Sequence, residues 1–128
     1  MTNQTATVTS LYERLGGYDA LAAAVDDLLP RLQGDPQLGV YWRGQNDHTK
    51  KRGRQQLLDF LVSALGGPAI YTGLDMKAAH QGLRISNSDW TVMEGHVLAV
   101  LDKLNVQGRE REEFLGAAAG LKGDIVQA

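Results

Sequence analysis

The sequence has no cysteine and only three histidines among its 128 residues: His48, His80 and His96. The lack of cysteine excludes disulfides, thiolate metal sites and a cysteine nucleophile. Chemistry that requires an imidazole is therefore confined to three positions. Acidic residues outnumber basic ones by 15 to 13, so the overall charge does not indicate binding to nucleic acid or to an anionic membrane.

The chain also lacks a long apolar run and a recognisable targeting segment. Residues 1–9 are polar, without the apolar core of a secretory signal, and we expect them to form a flexible extension. No apolar run is long enough to span a membrane. We therefore expect a cytoplasmic protein with a single domain over residues 10–128, and the hydrophobic content of 43% is typical of a globular chain.

Helical periodicity is present along almost the whole chain. Apolar residues recur at spacings of three and four over about 18–32, 57–65, 90–104 and 109–125, and a short helix carries Met76, His80 and Leu83 on one face. Ser10 and Ser86 are predicted helix caps, and Gly66-Gly67-Pro68 is a strong stop signal. Pro30 lies inside the first stripe and predicts a kink within one helix. No pair of strands is apparent, so the predicted fold class is all-α.

The segment Arg43–Arg54 holds five of the 13 basic residues, opposed only by Asp47. One interpretation is a solvated loop that leads into the next helix. The other is a local site for an anion beside the apolar stripe that begins at Leu57. His48 lies in this segment, either as an exposed residue or as a polar group that reaches into a pocket.

His80 is the histidine most useful for predicting function, because it lies on an apolar face of its helix and is therefore expected to point into the protein. It is either a core histidine with both ring nitrogens hydrogen-bonded or an axial ligand of haem iron. Haem ligation requires one imidazole, no cysteine and an apolar surrounding, because the macrocycle supplies the other four ligands. His96 lies at the edge of its helical stripe, where a packing or hydrogen-bonding role is expected.

Residues 64–86 contain a Gly-Gly-Pro turn, a Tyr-Thr-Gly loop and Met-Lys-Ala-Ala-His, which ends at His80. This segment resembles the group I truncated haemoglobins. Leu11–Gly17, Asp35-Pro36 and Ile85–Val106 also resemble segments of that family, and the similarity extends over about residues 10–122. The resemblance implies a two-over-two helical sandwich, in which the second helix pairs with the helix over 55–65 and the Trp90 helix pairs with the last one.

The resemblance also implies haem b (iron protoporphyrin IX), with His80 as the proximal iron ligand. The other residues expected to line the cofactor come from several helices: Leu29, Trp42, Leu57, Phe60, Leu61, Tyr71, Met76, Leu83, Ile85, Trp90 and Val97. The candidates for pairing with the haem propionates are Lys50, Lys51, Arg52 and Arg54.

Two departures from the family pattern concern the distal side. Leu28-Leu29 stands where the family usually has Phe-Tyr, so the hydroxyl that hydrogen-bonds oxygen is missing. The distal helix aligns only with an insertion of about three residues within 43–52, because the ungapped register places the charge of Arg54 against the porphyrin. The gapped register faces Leu57 to the iron and leaves Gln56 as the best distal donor. His48 or a lysine could also occupy the sixth iron position.

The resemblance implies reversible binding of oxygen, nitric oxide or carbon monoxide. Nitric oxide dioxygenation, peroxidase activity and gas or redox sensing remain alternatives, and so does a degenerate globin that acts as an interaction module without haem. A reductase partner is possible, and we expect a monomer or weak dimer.

Overall fold

The computed structural model describes residues 9–127, so the predicted flexible extension lies, except for Thr9, outside the described residues. Over that range all regular structure is helical. The helices are α1 (Leu11–Leu15), α2 (Gly17–Gln33), a 3₁₀ turn (Gly39–Trp42), α3 (Asp47–Ala64), α4 (Met76–His80), α5 (Asn87–Lys103), α6 (Gly108–Ala119) and α7 (Lys122–Ile125). None of the helices described is both long and apolar enough to cross a membrane.

The predicted helix ends agree with the structure at most positions. The hydroxyls of Ser10 and Ser86 each accept a backbone N–H in a capping box, and α3 ends just before Gly66-Gly67-Pro68. Helix α2 continues through Pro30 as one helix and ends three residues later at Gln33. These ends are determined by local chemistry, which explains why the sequence predicted them.

Two predicted elements need correction. The solvated loop expected over 43–54 is helical from Asp47 onward, because Asn46 caps α3 by accepting the N–H of Thr49. The last helix is not continuous over 109–125 but breaks after Ala119, where Gly120 weakens the helix, and restarts as α7. A charge run is compatible with an exposed helix as well as with a loop, and the pattern of charges alone does not distinguish them.

The core lies where α2 packs against α3. Leu58 is completely buried and Val25 and Val62 are almost so, with Leu21 and Leu65 completing the cluster. Helix α2 also lies against α5, so it is the central element of the two layers. The N–H of Tyr12 in α1 donates to the carbonyl oxygen of Leu65 at 2.9 Å, which fastens α1 to the end of α3.

Charged side chains connect α6 to the rest of the bundle. Arg14 of α1 donates to Glu113 at 2.6 Å and to Glu110 at 3.1 Å. Arg111 donates to Asp102 of α5 at 2.8 Å and to the carbonyl oxygen of Val106 at 3.3 Å. These contacts hold α6 beside α1 and α5, across an apolar cavity of about 200 Å³.

The segment between α2 and α3 is fixed to α5 by two carboxylates, the first being Asp35. Its Oδ1 accepts the backbone N–H groups of Gln37 at 2.8 Å and Leu38 at 3.0 Å. Its Oδ2 lies 2.8 Å from Nε2 of His96, a bond that lowers the pKa of Asp35. The hydrogen-bonding role expected for His96 is thereby confirmed.

The second carboxylate is Asp89, which is 8% exposed. The hydroxyl of Tyr41 donates to its Oδ2 at 2.5 Å, and the side-chain amide of Gln37 donates to its Oδ1 at 2.6 Å. The backbone N–H of Ser86 adds a bond at 3.0 Å. These donors, Tyr41 foremost, lower the pKa of Asp89 to about 2, and the carboxylate raises the pKa of Tyr41 to about 12.

We expect Asp89→Asn to destabilise the protein at pH 7 by about 1–3 kcal/mol, because the amide NH₂ faces donors and leaves one of them without an acceptor. A pKa of about 2 in the folded state lies below the unfolded value of 3.8, so the carboxylate's contribution is fully present above about pH 4 and is lost as the pH falls toward 2. Urea unfolding of wild type and variant between pH 7 and pH 2.5 should show the difference shrinking below pH 4.

The matched control is Asp102→Asn, which changes a mostly exposed carboxylate on the same helix that pairs with Arg111. It should alter the free energy of unfolding by less than about 1 kcal/mol. An Asp89→Asn variant as stable as this control at pH 7 would contradict the stabilising role assigned to the Asp89 hydrogen bonds.

Candidate functional site

His80 is the last residue of α4 and is half-buried. Its Nδ1 lies 2.8 Å from the carbonyl oxygen of Met76, one turn earlier. A carbonyl oxygen only accepts hydrogen bonds, so Nδ1 must carry the proton. In the neutral ring Nε2 then keeps its lone pair, and the imidazole is oriented as a metal-ligating histidine requires.

The short helix α4 is positioned by the loop before it. Asp75 caps α4 by accepting the N–H of Ala78 at 2.7 Å, and the hydroxyl of Tyr71 donates to the carbonyl oxygen of Leu74 at 2.5 Å. Gly73 permits this arrangement, because a Cβ there would lie 2.6 Å from Cζ of Tyr71. The Tyr-Thr-Gly loop therefore folds back on itself immediately before the helix that carries His80.

Tyr71 also meets the helix on the other side of the site. Its ring packs edge-to-face against Phe60 of α3, with ring centroids 5.3 Å apart and planes at 82°. Three further residues expected on the distal side, Leu29, Leu57 and Leu61, pack against the core cluster and are half-buried. The structure thus brings the predicted distal residues onto the α2–α3 pair and connects that pair to the loop before α4.

Large apolar side chains around α4 remain open to solvent. Ile70, Leu74 and Leu83 are 83%, 64% and 43% exposed, and Met76 and Ile85 are half-buried. A cluster of exposed large apolar side chains is typical of a binding site. Together with the free Nε2 of His80, it fits the flat apolar macrocycle and axial ligand of a haem.

The remaining apolar candidates lie deeper in the protein. Trp90 and Val97 of α5 are buried in the core at 4% and 9% exposure, and Trp42 is half-buried at the end of the 3₁₀ turn. Val97 also lines the 200 Å³ cavity together with Leu28 and Leu61. Leu29 does not line this cavity but lines a groove between α2 and α3. The neighbouring residues Leu28 and Leu29 therefore face different spaces.

That groove has a volume of about 320 Å³ and gathers Lys50, Lys51 and Arg54 opposite Asp26. Arg54 binds Asp26 through two hydrogen bonds of 2.9 and 3.0 Å, which lower the pKa of Asp26 and raise that of Arg54. Lys50 is half-buried and Lys51 is exposed. The structure therefore places three of the four propionate candidates together.

The other polar candidates on α3 are exposed: His48, Arg52 and Gln56. They do not line the groove.

Sequence reasoning missed two polar contributions to the site. Asp89 completes the helix cap predicted at Ser86, but its second role, in holding Tyr41 next to Trp42, has no signal in the local sequence. Gln127 hydrogen-bonds the loop just after His80 at Gly82 and Arg84. A single glutamine 47 residues from the histidine belongs to no motif.

Comparisons with known proteins agree with this architecture. The family model described as bacterial-like globin matches residues 10–127. The group 1 truncated haemoglobin GlbN of Mycolicibacterium paratuberculosis is 37% identical over 116 residues, covering 91% of this chain and 83% of that protein. The group 1 truncated haemoglobin of Tetrahymena thermophila is 32% identical over 111 residues, covering 86% and 85%.

Solved structures show the same fold. The truncated haemoglobin of Tetrahymena pyriformis in its Fe(III) form superposes with a TM-score of 0.84 at 26% identity, covering 94% of this chain and 100% of that one. The 2/2 haemoglobin of a Synechococcus species, in the cyanomet state with covalently attached haem, gives a TM-score of 0.83 at 23% identity and covers 92% and 98%. The helices described above, the family match and these relatives together show that the chain belongs to the bacterial-like globin family, among the group 1 truncated haemoglobins.

Proposed function

We propose that this protein binds haem b through His80 and reversibly holds a diatomic gas on the side of α2 and α3. Membership of the globin family implies haem and a gaseous ligand such as oxygen, nitric oxide or carbon monoxide. The observation that carries the assignment to His80 is the hydrogen bond from Nδ1 to the carbonyl oxygen of Met76, because it leaves Nε2 free to ligate iron.

When bound, haem would supply an iron that the imidazole of His80 could ligate and that could bind a diatomic gas. The chain supplies the surroundings. The apolar side chains of Ile70, Leu74 and Leu83 would lose their exposure against the macrocycle, each contributing about 25 cal/mol per Å² of covered apolar surface.

The distal side of this protein is aliphatic. Leu28 and Leu29 offer no hydroxyl. Leu57 is the residue expected to face the iron, and the hydrogen-bond donor next to it in the sequence is the exposed amide of Gln56. A neutral hydrogen bond is worth about 0.5–1.5 kcal/mol, so one donor holds a polar gas ligand less strongly than two. We infer that oxygen leaves this protein faster than it leaves a relative with a distal tyrosine, and that binding rather than dioxygenation is its main activity.

The cationic groove gives the propionates a place to pair. Arg54 already has a carboxylate partner in Asp26, whereas Lys50 and Lys51 face the same groove. We infer that these two lysines are better placed than Arg54 or Arg52 to neutralise a propionate.

We expect His80→Ala to lose the Soret band that wild-type protein develops on titration with haemin, or to show one restored only by added imidazole. The matched control is His48→Ala, which removes an exposed histidine from α3 and should bind haemin in the same ratio as wild type. A Soret band unchanged in His80→Ala, or no band in wild type, would contradict the haem assignment and favour an interaction module without haem.

We expect Leu29→Tyr to slow oxygen dissociation by roughly two- to tenfold relative to Leu29→Phe, because only the tyrosine adds a hydroxyl donor. The comparison with phenylalanine removes the effect of ring size. Stopped-flow displacement of oxygen by carbon monoxide measures both rates, and equal rates would show that Leu29 does not face the ligand.

Without a distal hydroxyl, we expect slow and incomplete conversion of nitric oxide and oxygen to nitrate. Rapid mixing of the oxygenated protein with nitric oxide, followed by nitrate analysis, measures this reaction. Fast stoichiometric nitrate would reverse the preference and make the protein a nitric oxide dioxygenase.

A further inference from the structure

The loop that follows His80 has an unusual backbone conformation at Arg84. Its φ is 58°, which a residue with a side chain rarely adopts, whereas the φ of 87° at Gly82 is one that glycine adopts freely. The N–H of Leu83 donates to the carbonyl oxygen of His80 at 3.2 Å, so this loop is coupled directly to the backbone of the histidine. A conformation like that of Arg84 persists only where its surroundings hold it.

Gln127 provides that support. Its side-chain oxygen Oε1 accepts two backbone N–H groups, from Gly82 at 3.2 Å and from Arg84 at 3.1 Å. Its own backbone N–H donates to the carbonyl oxygen of Ile85 at 2.8 Å. Three hydrogen bonds from one residue therefore close on residues 82–85, and the two left-handed residues are the ones whose N–H groups the side chain binds.

The helix that precedes Gln127 reinforces this contact. Helix α7 lies against α4, and α4 is a single turn of five residues. A helix this short is not stable by itself and depends on packing and capping for its position. Asp75 caps the first turn of α4, and the Gln127 contacts hold the loop beyond its last residue.

We propose that Gln127 is a positioning residue for His80, which fixes the loop 82–85 and thereby the orientation of the imidazole toward iron. The proposal rests on the proposed function, since it takes His80 as the proximal ligand. Gln127 does not touch the cofactor in this scheme. It acts through the loop backbone, the carbonyl oxygen of His80 and the turn of α4.

Two substitutions separate hydrogen bonding from packing. Gln127→Met keeps the length of the side chain but removes the amide oxygen, whereas Gln127→Glu keeps an oxygen that accepts both N–H groups. Gln107→Met is the matched control, because Gln107 is also exposed and, among the residues the structure describes, its amide bonds only to nearby Asn105.

The first measurement uses the protein without haem. Amide hydrogen exchange at Gly82 and Arg84 should be roughly two- to tenfold faster in Gln127→Met than in wild type, and close to wild type in Gln127→Glu and Gln107→Met. Unchanged exchange in Gln127→Met would overturn the proposal.

The second measurement uses the haem-loaded ferrous protein. The iron–histidine stretching band in the resonance Raman spectrum should shift or broaden in Gln127→Met and return to the wild-type band in Gln127→Glu. If Gln127 only stabilised the loop, its substitution would change the amide exchange rate but not this band. An unchanged band would therefore overturn the positioning role. If haem binding does not require His80, the titration of His80→Ala with haemin shows this and the proposed function fails. The exchange experiment separately tests whether Gln127 holds the loop 82–85.

Discussion

The packing of α2 against α3 at Leu58 is the contact on which the other features depend. Leu58 is fully buried in one cluster with Val25 of α2 and Val62 of its own helix, and this burial sets which face of α3 is turned toward α2. With that rotation set, Leu57 is turned by about 100° away from the α2 contact, and Arg54, one turn before Leu58, stays beside α2, where it meets Asp26. The same contact therefore determines where the expected distal residue Leu57 and the cationic groove lie.

Two hydrogen-bonded carboxylates, one of them buried, add specific contacts to those of the apolar core. Half-buried Asp35 and buried Asp89 fasten the segment between α2 and α3 to α5: Asp35 accepts from its own segment and from His96, and Asp89 accepts from Gln37, Tyr41 and the N–H of Ser86. Satisfied in this way, a buried carboxylate costs little and adds specificity that apolar packing does not supply. Trp42 follows Tyr41 directly, so its position depends on the hydrogen bond between Tyr41 and Asp89 of α5.

The helix that carries His80 is held by caps and loop hydrogen bonds, because α4 is too short to be positioned by packing alone. Tyr71 and Gly73 fold the loop before it, Asp75 caps its start, and Gln127 holds the loop beyond its end. The imidazole of His80 is then oriented by the carbonyl oxygen of its own helix. The side proposed to hold the gas is built differently, largely from aliphatic side chains on α2 and α3, and the proposed weak hold on the ligand rests on this contrast.

The sequence by itself determined the helical class and most helix ends, and it identified His80 as the candidate iron ligand among the three histidines. These follow from interactions within one or two turns: apolar spacing, capping serines, the Gly-Gly-Pro stop and the Met-Lys-Ala-Ala-His segment. It did not determine that residues 47–54 are helical, that the last helix breaks at Gly120, or that Arg54 would pair with Asp26. Only the tertiary structure decided the roles of Asp89 and Gln127, because their partners lie about 50 and 45 residues away in the chain and no local pattern encodes such a distance.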